Sequence, residues 1–256
     1  MALIFSAPLT STVSDFDAAQ ANGSSVDPRG LVAPVPGYIE IRVAPDGSPA
    51  LMSQIDASEA ETGGGVRSEI DYVPESNAER WYVWDVYFET ITAGDQITFM
   101  QIHDSPDGGE SPVKYPNFEF QTQSGYVFAT VPLNCPSEAT STGRPPPQKR
   151  VALQTGRWIT CALHANWGTD SSGYLEAYYD GRLLAREMSR ACGYTDATGP
   201  YWKLGLYEFA HAGVTGTSRA WYRNAKLYST GHTARDVLGL QPGSDIRLPN
   251  IGYKFN

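Results

Sequence analysis

The sequence predicts an all-β protein, a two-sheet β-sandwich of the jelly-roll type. Three observations predict it. Gly and Pro number 25 and 18 in 256 residues, a density of turn formers that favours many short strands over long helices. Ten segments carry strand signal, several of them bounded by turn dipeptides. Only one short stretch reads as helix. In chain order the strands are expected at 37–43, 66–72, 81–90, 96–103, 117–122, 126–133, 158–166, 174–179, 202–207 and 219–228. Ser-Gly at 124–125, Ser-Ser-Gly at 171–173 and Asp-Gly at 180–181 mark turns between them. Residues 179–182, Tyr-Asp-Gly-Arg, read as a hairpin closed by a primed turn. The helix is expected after Thr233 as N-cap, over Ala-Arg-Asp-Val-Leu, with Gly239 beyond its end.

The chain is long enough to bury a sizeable core. No boundary in composition divides it, so residues 1–256 read as one domain. With 19 basic and 28 acidic residues the formal net charge is −9, which argues against a nucleic-acid partner. No apolar run approaches the roughly 18 residues of a membrane span, so no membrane partner is expected, and a monomer is the simplest state. Met1–Thr10 lacks the basic and apolar regions of a signal peptide. Extracellular action is then expected through release by lysis or on a virus particle. Cys135 and Cys192 lie in turn-like contexts and are candidates for a disulfide, with three free thiols as the alternative. Cys161 reads as a small buried thiol. Asp104, Asp107 and Glu110 form an acidic loop. Its oxygens could bind a structural calcium, but it lacks EF-hand spacing and a solvated loop is the ordinary reading, so no metal and no cofactor is assigned. P-loop, dinucleotide, serine-hydrolase and zincin motifs are absent from the sequence.

Charge is unevenly spread. Residues 140–226 hold 11 basic against 6 acidic side chains, including the loop that ends in Lys149 and Arg150. Three predicted strands also place polar side chains on one face, since residues i and i+2 share a face. Arg67, Glu69 and Asp71 alternate in one, Gln101 and His103 in another, and Lys203, Gly205 and Tyr207 in a third. Each pattern alone has an ordinary reading, such as a cross-strand ion pair or an edge strand with a Gly bulge. Together they supply cations, amides and proton carriers of the kind an acidic sugar requires.

Arg-Ser-Glu-Ile (67–70), Gln-Ile-His (101–103) and Tyr-Trp-Lys-Leu-Gly-Leu-Tyr (201–207) resemble the three signature strands of alginate-lyase-like jelly rolls, a superfamily that includes glucuronan lyases and heparin-lyase-I-like enzymes. The block 156–184 is similar to the heparin- and glucuronan-lyase-like branch. Asp71 stands where the alginate-lyase form has a second Arg, and Glu208-Phe209 where it has Asn-Gln. The resemblance implies a concave substrate cleft and a polysaccharide lyase that cleaves a uronate polymer, of the glucuronate type, by β-elimination. It implies Arg67, Gln101 and His103 around the substrate carboxylate and Tyr207 as proton donor to the departing oxygen. Glu69, Lys203, Asn117, Glu119, His164 and Arg150 are candidates for sugar contacts, and the groove along Arg67, His103 and Lys203 is expected to be positive. The competing readings are a non-catalytic carbohydrate-binding jelly roll and a glycoside hydrolase with paired carboxylates.

Overall fold

The computed structural model describes residues 2–10, 16, 18–21, 24–26, 38–61, 65–72, 78–92, 96–104, 116–131, 149–209 and 216–238. They build two antiparallel sheets. The first runs β14 (Arg182–Met188), β13 (Tyr174–Tyr179), β12 (Trp158–Asn166), β7 (Glu79–Thr90), β16 (Ser218–Tyr228), β5 (Pro49–Ile55), β4 (Ile39–Val43), with β1 (Leu3–Ala7) also on β16. The second runs β11 (Arg150–Ala152), β10 (Tyr126–Thr130), β9 (Phe118–Gln123), β8 (Ile97–His103), β15 (Tyr201–Phe209), β6 (Gly65–Tyr72), β2 (Ala18–Ala21), β3 (Ser24–Val26). The jelly-roll sandwich expected from the strand pattern is the architecture found.

The core lies between the sheets, where alternate residues of each strand point inward. Trp84 of the first sheet meets Trp202 and Phe120 of the second, with ring centroids 6.0 and 5.6 Å apart. Phe88 meets Phe99 at 5.0 Å. Buried polar groups are tied across the same gap. The Tyr222 hydroxyl donates to the Phe99 carbonyl at 3.0 Å.

Turn chemistry sets two hairpins. Asp180 and Gly181 have φ of 53° and 70°, and Ser124 and Gly125 have 52° and 78°. Both pairs have the positive φ values of primed turns, which match the twist of the strands they join. The helix α1 (Ala234–Leu238) is capped by Thr233, whose Oγ1 accepts from the Asp236 N–H at 3.3 Å. Trp81, on the outer face of β7, donates from Nε1 to the His232 carbonyl at 3.1 Å beside it.

Five strands among the described residues have no counterpart in the sequence reading, β1, β2, β3, β5 and β11, while β14 is the second arm of the hairpin read at 179–182. β2, β3 and β11 have only four, three and three residues, too few to show alternation. β5 is buried over most of its length on both faces, and its sequence Pro-Ala-Leu-Met-Ser-Gln-Ile shows no period of two. The expected strand over 126–133 ends at Thr130.

One irregularity shapes the second sheet. Gly205 has φ of 140°, and the β15–β8 register slips between Leu204 and Tyr207. Ser53 of the opposite sheet repairs the ladder there, accepting from Leu206 N–H at 2.9 Å and donating to the Ser68 carbonyl at 2.6 Å. A Cβ at Gly205 would lie 2.1 Å from the Ser68 oxygen and 2.6 Å from Glu69 Cα. Gly205→Ala should therefore destabilise the protein by about 3 kcal/mol or more, combining backbone strain with overpacking. Denaturant midpoints check this, and a change below about 1 kcal/mol would show that the backbones can separate at no cost.

Candidate active site

Residues paired across antiparallel strands share a face, and the register of the second sheet gathers the polar strands on its outer side. One row runs Asp71, Lys203, Gln101, Glu119, Thr130 from β6 to β10. A second runs Arg67, Tyr207, Thr98, Gln121, Phe128, Arg150 from β6 to β11. His103 pairs with Tyr201 beyond the first row. A slip of β8 against β9 between Thr98 and Met100 puts Phe99 and Met100 both in the core. Thr98 and Gln101 thereby share the outer face, although they are an odd three positions apart.

Arg67, Gln101, His103 and Tyr207 thus stand on three adjacent strands of one face. The Arg67 guanidinium lies over the Tyr207 ring, 4.1 Å from its centroid. Its Nη1 donates to Gln20 Oε1 at 3.2 Å and lies 3.5 Å from Glu69 Oε2. Gln101 donates from Nε2 to Glu69 Oε1 at 2.7 Å. The second N–H of that amide is left over, and Oε1 is buried with no hydrogen-bond partner among the described residues. His103 keeps 23% of its side chain exposed, and its Nδ1 is 3.0 Å from the Asp104 carbonyl oxygen.

Beneath these groups is a buried charge cluster. Lys203 Nζ lies 2.8 Å from Glu69 Oε2 and 3.6 Å from Asp71 Oδ1, with only 1% of its side chain exposed. Burial alone would push the Glu69 carboxyl up, but Lys203 and Arg67 outweigh it and hold the group below its usual range. Asp71 goes the other way: burial raises it to about 6 against the pull of Lys203. The Lys203 ammonium is held above its ordinary value by Asp71 and Glu69, against burial. Tyr207 is raised by burial, with Arg67 pulling in the opposite direction.

Several expected sugar contacts take other places. Glu69 is 0% and Lys203 1% exposed; they are committed to each other and hold Arg67 and Gln101 rather than face a sugar. Asn117 and Glu119 are buried as well. Asn117 donates from Nδ2 to the Cys192 carbonyl at 3.1 Å, and Glu119 accepts from Thr98 and Thr130 hydroxyls at 3.0 and 3.3 Å. Arg150 is exposed at the edge of the sheet, its guanidinium 5.0 Å from the Phe128 ring centroid. His164 belongs to the other sheet. It stacks on Trp81 at 4.1 Å and meets Glu79 at 2.8 Å on the face that carries α1, so it forms no part of this site. The expected positive groove is also corrected, because the cations Arg67 and Lys203 are matched by the carboxylates Glu69 and Asp71.

Gln20 is a site residue that the sequence did not disclose. It accepts from Arg67 and donates from Nε2 to Asp71 Oδ2 at 3.2 Å. Its strand has four residues and its partner is 47 positions away, so no local pattern marks it. Cys135, residues 144–148, Asp107, Glu110 and His211 lie outside the described residues. Cys192, the other half of the expected disulfide, is buried. Among the described residues no group of three or more His, Cys, Asp or Glu side chains could hold a metal ion. No helix among them is long and apolar enough to cross a membrane.

The arrangement can hold an anion at Arg67 and the free Gln101 N–H, with a phenol and an imidazole on the same face to move protons. A family model described as polysaccharide lyase matches residues 10–226. A search by sequence among curated proteins finds no match. Among solved structures, the chain is similar to an endo-β-1,4-glucuronan lyase from the fungus Trichoderma reesei. The TM-score is 0.68 at 18% identity, covering 92% of this chain and 98% of that one. It is similar to an alginate lyase from Pseudomonas aeruginosa, with TM-score 0.62 at 13% identity, covering 84% and 99%. An alginate lyase from a Corynebacterium species gives 0.59 at 14%, covering 87% and 98%.

Proposed function

Since the chain belongs to the polysaccharide lyase family and is a carbon–oxygen lyase acting on polysaccharides, we propose that its substrate is a uronate polymer of the glucuronate type, cleaved by β-elimination. The observation that carries this reading is the Arg67 guanidinium lying over the Tyr207 ring at 4.1 Å, with Gln101 and His103 on the adjacent strand. It brings a carboxylate-binding cation onto the group that handles the proton.

The chemistry sets what each residue does. The C5 hydrogen of a uronate is weakly acidic, and its removal places charge on the carboxylate as an enolate. Arg67 and the free Gln101 N–H meet that charge with donors already in place. Glu69 and Lys203 keep both donors oriented. In a glucuronate the C5 hydrogen and the 4-oxygen lie on one side of the ring. Tyr207 as phenolate takes the C5 proton, the C5 electron pair forms the C4–C5 double bond, the C4–O4 bond breaks, and the phenol returns the proton to O4. Atoms and charge balance with no water and no oxidant.

Glucuronate is favoured over alginate by two features. The 156–184 block resembles the glucuronan- and heparin-lyase-like branch. Asp71 replaces the second Arg of the alginate-lyase pattern. The test is a panel of glucuronan, alginate, heparin and hyaluronan, read by the ultraviolet absorbance of the new double bond. The expected result is the fastest rise on a glucuronate-containing polymer. Faster cleavage of alginate would overturn the preference, and no absorbance on any polyuronide would overturn the substrate class.

A further inference from the structure

Asp104 has no part in the proposed chemistry, yet it is 2% exposed at the end of β8, directly after His103. The His103 Nδ1 is hydrogen-bonded to its carbonyl oxygen at 3.0 Å, and its Oδ1 lies within ion-pair distance at 3.1 Å without making a hydrogen bond to the ring. A carbonyl oxygen only accepts, so the ring nitrogen bonded to it carries the proton. The ring plane is held on its other side by Tyr201, with centroids 5.5 Å apart. Asn117 directly precedes β9, and its Nδ2 donates to the Cys192 carbonyl at 3.1 Å. We propose that Asp104 is a positioning residue that keeps His103 in the Nδ1-protonated tautomer, leaving Nε2 as a proton acceptor in the cleft.

The consequence concerns which polymers the site can take, and it rests on the lyase reading. Tyr207 serves uronates whose C5 hydrogen and 4-oxygen are on one side of the ring. In the C5 epimers, guluronate and iduronate, the two lie on opposite sides, and a second base is required. There His103 Nε2 takes the C5 proton, the C5 electron pair forms the C4–C5 double bond as the C4–O4 bond breaks, and the Tyr207 phenol gives its proton to O4; the imidazolium formed has the Asp104 Oδ1 at 3.1 Å from its Nδ1. A neutral imidazole with the proton on Nε2 could not act in this way.

Two measurements decide it. Long-range proton–nitrogen NMR on the 15N-histidine-labelled protein reads the tautomer, and the His103 signal among the four histidines is identified by its loss in His103→Gln. The expected result is a proton on Nδ1, and a proton on Nε2 would overturn the proposal whatever the activity. Second, Asp104→Asn is expected to lower kcat on alginate blocks rich in guluronate about tenfold. KM should stay within about twofold, and kcat on glucuronan should fall less. An equal loss on both polymers, or a change in KM alone, would overturn it. A wild type inactive on every polyuronide would sink the lyase reading, while the NMR result would still judge the tautomer.

Discussion

Tyr207→Phe should cut turnover by about two to four orders of magnitude, the range of a single general acid–base group, while binding of the polymer stays nearly unchanged. The ring that packs under the Arg67 guanidinium at 4.1 Å is retained in the variant, so the carboxylate site keeps its shape. Only the hydroxyl proposed to carry the proton is lost. The measurements are kcat from the absorbance of the unsaturated product, and polymer affinity by calorimetry on the inactive variant. The wild-type pH profile carries a second expectation. Burial holds the Tyr207 phenol above its usual range. Phenolate is therefore scarce at neutral pH, and kcat/KM on a glucuronate polymer should climb into the alkaline range as the phenol ionises. A variant with more than about a tenth of wild-type turnover would remove Tyr207 from the chemistry. A profile flat above neutral pH would remove it as the base.

The other large effect is on stability. Lys203→Met leaves the Glu69 carboxylate buried at 0% exposure with its 2.8 Å cationic partner gone. Gln101 at 2.7 Å and Arg67 at 3.5 Å remain. Breaking a buried pair from one side costs about 3–5 kcal/mol, because the remaining charge is left uncompensated. The double variant Lys203→Met, Glu69→Leu removes that pair and should recover only part of the stability: an apolar replacement of a buried pair is often neutral, but Asp71 has lost the ammonium at 3.6 Å and Gln101 the carboxylate that accepts from it. Activity should not recover, because Arg67 and Gln101 lose the acceptor that orients them. Denaturant unfolding of the three proteins gives the comparison. A cost below about 1 kcal/mol for the single variant would mean that water reaches the pair. Full activity in the double variant would mean that Glu69 and Lys203 do not orient the donors.

Much of the site was legible because its residues lie in short strands with a strict period of two. Arg67 and Glu69, Gln101 and His103, and Lys203 and Tyr207 each share a face for that local reason. What was not legible depends on neighbours from distant parts of the chain. Lys203 reads as a free cation until β6 is placed beside it, when Glu69 and Asp71 absorb its charge. Gln20 has no pattern of its own, and its place follows only from the pairing of β2 with β6. Thr98 reads as a core-facing position by alternation, and the slip of β8 against β9 turns it to the outer face. His164 shares its type with His103, but its strand lies in the other sheet.

The sequence by itself determined the class of fold, the primed hairpin turn at Asp180-Gly181 and the order of the three polar strands. These follow from turn chemistry and side-chain alternation, which act within a few residues. The tertiary structure decided which of those side chains meet, which carry charge into the interior and which stay open to a substrate. Pairing, burial and ionisation depend on atoms that strand register brings together from far along the chain. Lys203, from a net basic segment, could therefore become part of a cluster of matched charges with Glu69 and Asp71.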